Sequence, residues 1–102
     1  MDLEFFKKKV KDTVKSFEFE GDTYYYRIPA YLDSDLFTIM KDKKRPQREK
    51  IIDVLLAVIC NEDGFRVFND QVPEHRKIVK ALPNEVQVKL VEGAMDDLFP
   101  GK

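Results

Sequence analysis

The chain has 102 residues, a formal net charge of −1 and a single cysteine, Cys60. This length predicts one domain, residues 1–102, with one modest hydrophobic core. The near-zero charge gives no global electrostatic case for nucleic acid or an acidic membrane, and one thiol excludes an intrachain disulfide.

The composition is that of a globular protein, and the lack of a membrane-span run or a signal-peptide pattern favours a cytoplasmic location. Apolar residues make up 43% of the chain and charged residues 36%, which is typical of a globular sequence. No apolar run approaches the ~20 residues of a membrane span. The N-terminal residues 1–4 lack the basic and then apolar layout of a signal peptide.

The N-terminal residues 2–11 are predicted to form a short amphipathic helix, with Asp2 as its cap. Its apolar stripe recurs at helical spacing, at Leu3, Phe6, Val10 and Val14. Two alternating runs then flank Gly21-Asp22, which predicts a β-hairpin of strands 14–20 and 23–28. One hairpin face carries Phe17, Phe19, Tyr24, Tyr26 and Ile28, and the other carries Glu18, Glu20, Tyr25 and Arg27.

The middle of the chain changes from polar to strongly apolar. A short helix is predicted to start at Asp33 or Ser34 and to run to about Met40. Residues 41–50 form a polar connection with six basic and two acidic residues, and Pro46 lies near the first position of the next helix. Residues 51–60 are apolar except for Asp53, which favours a central helix over a buried strand.

The C-terminal half is predicted to contain a sharp turn and two further helices. Residues 61–64 end on Gly64, which is free to adopt positive φ, and residues 65–68 form a short strand or extended bridge. A helix capped by Asn69 or Asp70 follows, with Pro73 in its first turn. Its apolar stripe consists of Ile78, Val79 and Leu82. After Pro83 the last helix covers residues 84–98, with Val88, Val91, Met95 and Leu98 along one side.

Together these elements predict an α+β fold: a mainly helical domain with an N-terminal β-hairpin packed on about four to five helices. The chemistry-bearing residues do not form a catalytic or metal-binding set. One histidine and one cysteine fall short of a zinc ligand set, and residues 61–64 lack the 12-residue calcium loop. The four glycines form no phosphate loop, and His75 is the one base near neutral pH. We therefore expect no cofactor and no enzyme activity.

Two groups of residues are candidates for binding a partner protein. Tyr25, Arg27 and Tyr31 belong to the aromatic-rich hairpin region, and tyrosine and arginine carry much interface energy when they face outward. A purely structural role for the hairpin aromatics is the alternative. The basic connection supplies Lys43, Lys44, Arg45 and Arg48, which suit a solvated loop, an acidic protein surface or nucleic-acid phosphates.

The order of motifs resembles a known family. The apolar helix 51–60 leads into Asp63-Gly64 and Phe68, and then into a polar helix, Leu82-Pro83 and a closing amphipathic helix. The first half adds a hairpin that ends in Tyr26-Arg27-Ile28-Pro29. This layout is similar to that of the tail assembly chaperones of long-tailed bacteriophages.

The resemblance implies a protein that coats the tape-measure protein during tail assembly and brings the major tail-tube protein to it. It also implies action in the host bacterial cytoplasm, departure before the virion is complete, and in many members a longer frameshifted form. Self-association is compatible with this role. The alternative functions are a small nucleic-acid-binding regulator that uses the basic connection and a structural virion or prophage protein.

Overall fold

The computed structural model describes residues 2–28, 38 and 41–98. Within these residues the chain forms four helices and a three-stranded antiparallel sheet, which confirms the α+β prediction. The elements are α1 (Leu3–Lys11), β1 (Lys15–Phe19), β2 (Asp22–Tyr26), α2 (Gln47–Val58), β3 (Ile59–Cys60), α3 (Pro73–Lys80) and α4 (Asn84–Leu98). Tyr31 and, apart from Thr38, the helix predicted from Asp33 or Ser34 to Met40 lie outside the described residues.

The hairpin forms as predicted, but its turn lies one residue earlier. β1 and β2 pair antiparallel with Phe17 opposite Tyr24. Positive φ angles occur at Glu20 (51°) and Gly21 (85°), so these two residues occupy the centre of the turn in place of Gly21-Asp22. Two consecutive positive φ angles match the right-handed twist of a hairpin, and glycine adopts one of them without steric cost.

The apolar run 51–60 is not helical throughout. α2 ends at Val58, and Ile59 and Cys60 form β3, which pairs antiparallel with Tyr26 and Tyr25 of β2. The backbone N–H of Arg27 donates to the carbonyl oxygen of Val58 at 3.0 Å. The helix prediction for residues 59 and 60 is therefore wrong, because pairing with the second edge of β2 satisfies backbone groups that a helix end would leave open.

The core is built around α2, as the apolar run predicts. Its buried residues are Ile52, Val54, Leu55, Leu56, Ala57 and Val58. One cluster packs α2 against Val79 of α3 and Val86 and Leu90 of α4, and the hairpin aromatics Phe17, Phe19, Tyr24 and Tyr26 cover it. A second cluster packs α2 against Ala94 of α4.

α4 has the predicted boundaries but buries a different stripe. Val86, Leu90 and Ala94 are fully buried, whereas Val88 is 44% exposed and Val91 and Met95 are half-buried. Of the predicted side of Val88, Val91, Met95 and Leu98, Val91 packs against the core and Val88 is exposed, so this side is only partly buried; the Leu98 side chain itself lies outside the described set. Both stripes satisfy helical periodicity, and the buried one includes a small residue that allows close packing.

The start of α3 also differs from the sequence interpretation. Val72, and neither Asn69 nor Asp70, precedes the first helical residue, while Pro73 does lie in the first turn. The Asn69 side chain instead accepts a hydrogen bond from the backbone N–H of Gln71 at 2.8 Å. The backbone N–H of Asn69 donates to Nδ1 of His75 at 2.9 Å, so the only histidine holds the loop before α3 in place.

α1 is capped as predicted but does not bury its apolar stripe. The backbone N–H of Phe5 donates to Oδ1 of Asp2 at 3.0 Å. Eight of the nine residues of α1 are exposed and Val10 is half-buried. The helix contacts the domain through its C-terminal end, near Gly64, while Leu3 and Phe6 remain in solvent.

Candidate functional site

The hairpin residues predicted to bind a partner lie at the C-terminal end of α2. Tyr25 is half-buried and pairs with Cys60 across β2 and β3. Arg27 is also half-buried; its Nε donates to Oγ1 of Thr13 at 3.0 Å and its Nη1 to the carbonyl oxygen of Gly64 at 3.4 Å. Arg27 thus links the end of β2 to Thr13, before β1, and to Gly64, after β3, and these contacts already use part of its hydrogen-bonding capacity.

The predicted basic residues lie at the other end of α2. Lys43, Lys44, Arg45 and Arg48 are all exposed. Arg45 Nη2 lies 2.8 Å from Oδ2 of Asp53. α2 has 12 residues, so about 18 Å of helix at 1.5 Å per residue separates this basic group from the hairpin group. The structure does not bring the two predicted groups together into one surface.

Asp53, the polar exception in the apolar run, belongs to an ion-pair network between α2 and α3. Arg76 lies between two carboxylates, with Nη1 at 2.7 Å from Oδ1 of Asp53 and Nη2 at 2.7 Å from Oε1 of Glu49. Lys80 Nζ lies 3.2 Å from Oε2 of Glu49. The hydrogen bonds from Arg76 and Lys80 hold the pKa of Glu49 below its ordinary value. This network joins two helices and has the character of a structural contact.

A different set of residues, which the sequence interpretation did not identify as candidates for binding, contains most of the exposed apolar side chains. Among the described residues, seven large hydrophobic side chains are exposed, and five of them lie on α1 and on the segment 65–67. These five are Leu3, Phe5, Phe6, Phe65 and Val67, with exposed fractions between 41% and 67%. Large apolar side chains that face solvent can anchor a partner protein.

Two grooves meet at Phe65. The larger, of about 380 Å³, runs between α1 and the turn that follows β3, and it is lined by Glu4, Lys7, Lys8, Lys11, Asp63 and Phe65. The smaller, of about 180 Å³, has Phe65, Cys60 and two arginines, Arg27 and Arg66, in its lining. We call this pair of grooves the Phe65 surface.

Charge in the larger groove is only partly neutralised within the molecule. Lys7 lies 3.7 Å from Glu4, and Lys11 lies 3.9 Å from Asp63. Lys8 has no ion-pair partner among the described residues. Exposed ion pairs at these distances contribute little stability, so Lys7 and Lys11 also remain available to a partner.

One sequence signal could have indicated the charged side of this surface. Glu4, Lys7, Lys8 and Lys11 recur at helical spacing and lie within about 100° of one another around α1. The apolar stripe of Leu3, Phe6 and Val10 lies on a different side of the helix. The position of Phe65 relative to α1, in contrast, depends on the tertiary fold.

Cys60 is buried, as its apolar surroundings predict. Its side chain is 6% exposed, and burial raises the pKa of the thiol above its ordinary value. Both effects lower the concentration of reactive thiolate, so Cys60 serves packing rather than chemistry.

Within residues 2–28, 38 and 41–98, no three histidine, cysteine, aspartate or glutamate side chains are grouped so that they could hold a metal ion. None of the helices described for this chain has the length and apolarity needed to cross a bilayer. Comparisons of the chain with protein-family models, with curated proteins and with solved structures find no match.

Proposed function

We propose that this protein binds another protein without enzymatic activity, and that it acts as a tail assembly chaperone of a long-tailed bacteriophage. In this role it holds the tape-measure protein in the host bacterial cytoplasm, recruits tail-tube subunits, and leaves before the virion is complete. The resemblance in motif order supports the assignment to this class.

The observation that carries the protein-binding function is that five of the seven exposed large apolar side chains in the described part of the chain belong to α1 and residues 65–67, and that Phe65 lines a groove together with lysine side chains of α1. Burial of such groups by a partner stabilises a complex by roughly 25 cal/mol per Å² of apolar surface. The charged surroundings keep the free protein hydrated and favour reversible binding.

A chaperone for a long helical client needs this combination. An amphipathic client helix presents an apolar stripe that must be covered until assembly, and a helix-in-groove contact covers it with few anchor residues. α1 and the Phe65 surface provide apolar anchors and a groove on one small domain.

The direct test is co-expression with a phage tape-measure protein, a long coiled-coil chain, followed by a pull-down from the soluble fraction. The chaperone function predicts that the client becomes soluble only when this chain is present, and that the two proteins co-purify. A client that remains insoluble, with no complex formed, contradicts the proposal. A coiled-coil protein of unrelated sequence and similar length is the matched control.

Nucleic-acid binding is the second candidate function, because Lys43, Lys44, Arg45 and Arg48 are all exposed at one end of α2. Arg45 is paired with Asp53, which leaves the other three as the strongest candidates for contacting phosphate. This function predicts duplex binding that weakens steeply with salt and is lost when Lys43 and Lys44 are changed to glutamate. Binding that is insensitive to these two changes would exclude this site.

A further inference from the structure

The Phe65 surface carries an excess of positive charge on a chain whose net charge is −1. Five cationic and two anionic side chains line its two grooves, a net charge of +3; they are Lys7, Lys8, Lys11, Arg27 and Arg66, against Glu4 and Asp63. The local and global charges therefore differ in sign. This contrast favours an acidic partner at this surface.

Two of these cations retain capacity for a partner. Lys8 has no ion-pair partner among the described residues. Arg66 donates from Nε to the carbonyl oxygen of Leu56 at 3.2 Å, and its two terminal nitrogens have no hydrogen-bond partner within the described part of the chain. A carboxylate can accept two hydrogen bonds from such a guanidinium group.

An apolar anchor lies between these charges. Phe65 is 48% exposed and lines both grooves, while Val67, two residues further on, is exposed to the same extent. The larger groove follows α1 from Glu4 to Lys11, about two helical turns, or roughly 10 Å. A second helix lying alongside α1 would place apolar residues at i and i+3 or i+4 along this length.

We propose that the Phe65 surface binds an acidic amphipathic helix of a partner protein. A large apolar residue of that helix packs against Phe65, and carboxylates on its flanks pair with Lys8 and Arg66. The inference rests on the proposed protein-binding function and names the chemistry of the client segment.

Other occupants fit less well. Phe65 and Val67 expose apolar surface that a phosphate backbone would not cover. A second copy that presented the same surface would bring two groups of charge +3 together, which opposes a symmetric dimer. An acidic partner helix instead places its carboxylates beside Lys8 and Arg66, which lowers the repulsion among the cations of this surface.

The test uses a fluorescent 20-residue peptide with leucine at helical spacing and glutamate on its flanks, measured by anisotropy against the full chain. The same peptide with lysine in place of glutamate and a single-stranded 20-mer of thymidine are the comparison probes. The acidic peptide should bind most tightly, with affinity that falls between 50 and 300 mM salt because the contacts are charged. Tighter binding of the lysine peptide or of the oligonucleotide overturns the proposal.

Variants locate the contact. Lys8→Glu with Arg66→Glu, and separately Phe65→Ala, should each weaken acidic-peptide binding by at least about tenfold. Lys43→Glu with Lys44→Glu is the control of matched charge at the other end of α2, and Val88→Ala is an apolar control of similar exposure on α4. Circular dichroism verifies that each variant is folded. Equal weakening by the control variants, or no weakening by the Phe65 surface variants, overturns the proposal.

The same variants separate this inference from the chaperone function. If the wild-type chain solubilises its client and the Phe65 surface variants do so equally well, the function stands and the surface is wrong. If the wild type binds the acidic peptide but fails to solubilise the client, the surface stands and the chaperone function is wrong. Light scattering would detect a dimer that forms as the protein concentration rises. If the acidic peptide no longer binds to that dimer, the surface serves self-association and the proposal is overturned.

Discussion

Tyr26 of β2 packs directly on the backbone of α4 at Gly93. A Cβ atom at position 93 would lie 2.5 Å from the Tyr26 hydroxyl oxygen and 2.6 Å from Cζ of its ring. Tyr26 contacts both core clusters, so this close approach joins the sheet to the helical layer. Burial and the negative charge of Asp97 raise the pKa of the Tyr26 hydroxyl, which therefore remains protonated at neutral pH.

We expect Gly93→Ala to lower the free energy of unfolding by about 1–2 kcal/mol, because the overpacking cost exceeds the helix propensity that alanine gains. Urea denaturation measures the change. Tyr26→Phe in the Gly93→Ala background should recover part of the loss, since it removes the closest atom. A Gly93→Ala variant as stable as the wild type would show that Tyr26 moves aside without cost.

Comparison of alanine substitutions at Gly64 and Gly21 separates the cost of backbone strain from the cost of a packing clash. Both have positive φ, 93° and 85°, but a Cβ at Gly64 would lie 2.8 Å from Cγ1 of Val10, whereas a Cβ at Gly21 meets nothing within 4 Å. Alanine at either position bears the left-handed backbone cost of about 1–2 kcal/mol. Gly64→Ala should be the more destabilising by at least about 1 kcal/mol, because it also displaces α1.

Limited proteolysis provides the second measurement for this pair. Cleavage within α1 should accelerate in Gly64→Ala and remain unchanged in Gly21→Ala, since only Gly64 contacts Val10. Equal stability and equal cleavage of the two variants would mean that α1 is not held at Gly64.

At the scale of elements, the contact between α2 and α3 combines apolar packing with the ion pairs of Arg76. Because the pKa of Glu49 is lowered in the folded state, the stability that Glu49 contributes is present above its unfolded-state pKa and is lost as pH falls through the folded-state pKa. The ordinary value is 4.5. The stability that Glu49 contributes is therefore lost as the pH falls below about 4.5, and it does not change with pH near neutrality.

We predict that Glu49→Gln destabilises the protein at pH 7 and that the difference from the wild type narrows as the pH falls below about 4.5. Urea midpoints measured from pH 7 to pH 3 provide the test. Glu62→Gln, at an exposed position in a turn, is the control and should show little difference at pH 7. A Glu49 difference that stays constant down to pH 3 would contradict an ionic contribution.

Element boundaries follow from the sequence where local chemistry decides them. The cap at Asp2, the hairpin, the positive φ at Gly64 and the bounds of α4 all depend on residues close in the chain. β3 does not, because Ile59 and Cys60 leave the helix to pair with a strand more than 30 residues away in sequence. Tertiary pairing of this kind overrides local propensity.

The candidate site was harder to predict for the same reason. Lys43, Lys44 and Arg48 are exposed as a charged run suggests, but Tyr25 and Arg27 are half-buried. The Phe65 surface joins α1 to a turn some 50 residues later, and no local pattern predicts that approach. Only the helical spacing of Glu4, Lys7, Lys8 and Lys11, which places them on one side of α1, gave an indication from sequence.

At the scale of the whole molecule, stability is distributed unevenly. α2 contributes six buried hydrophobic residues, whereas α1 has eight exposed residues out of nine. An element with so few buried contacts opens locally, while α2 exposes its amides only when the whole domain unfolds.

Hydrogen exchange should therefore show amides of α1 exchanging orders of magnitude faster than those of α2 at neutral pH. Addition of the acidic amphipathic peptide should slow exchange in α1 and at Phe65, with little change in α3. Uniform protection of α1 and α2 in the free protein would contradict the exposed position of α1.

The burial of Cys60 has a practical consequence for measuring these motions. Its sulfur is the only thiol in the chain, and it lies on β3 beside the smaller groove of the Phe65 surface. A thiol reagent can thus modify the native protein at one place only, and only after the strand pair β2–β3 or the groove has opened. The rate at which the reagent labels Cys60 therefore reports how often that region opens, and the measurement needs neither an engineered probe nor a change to the surface.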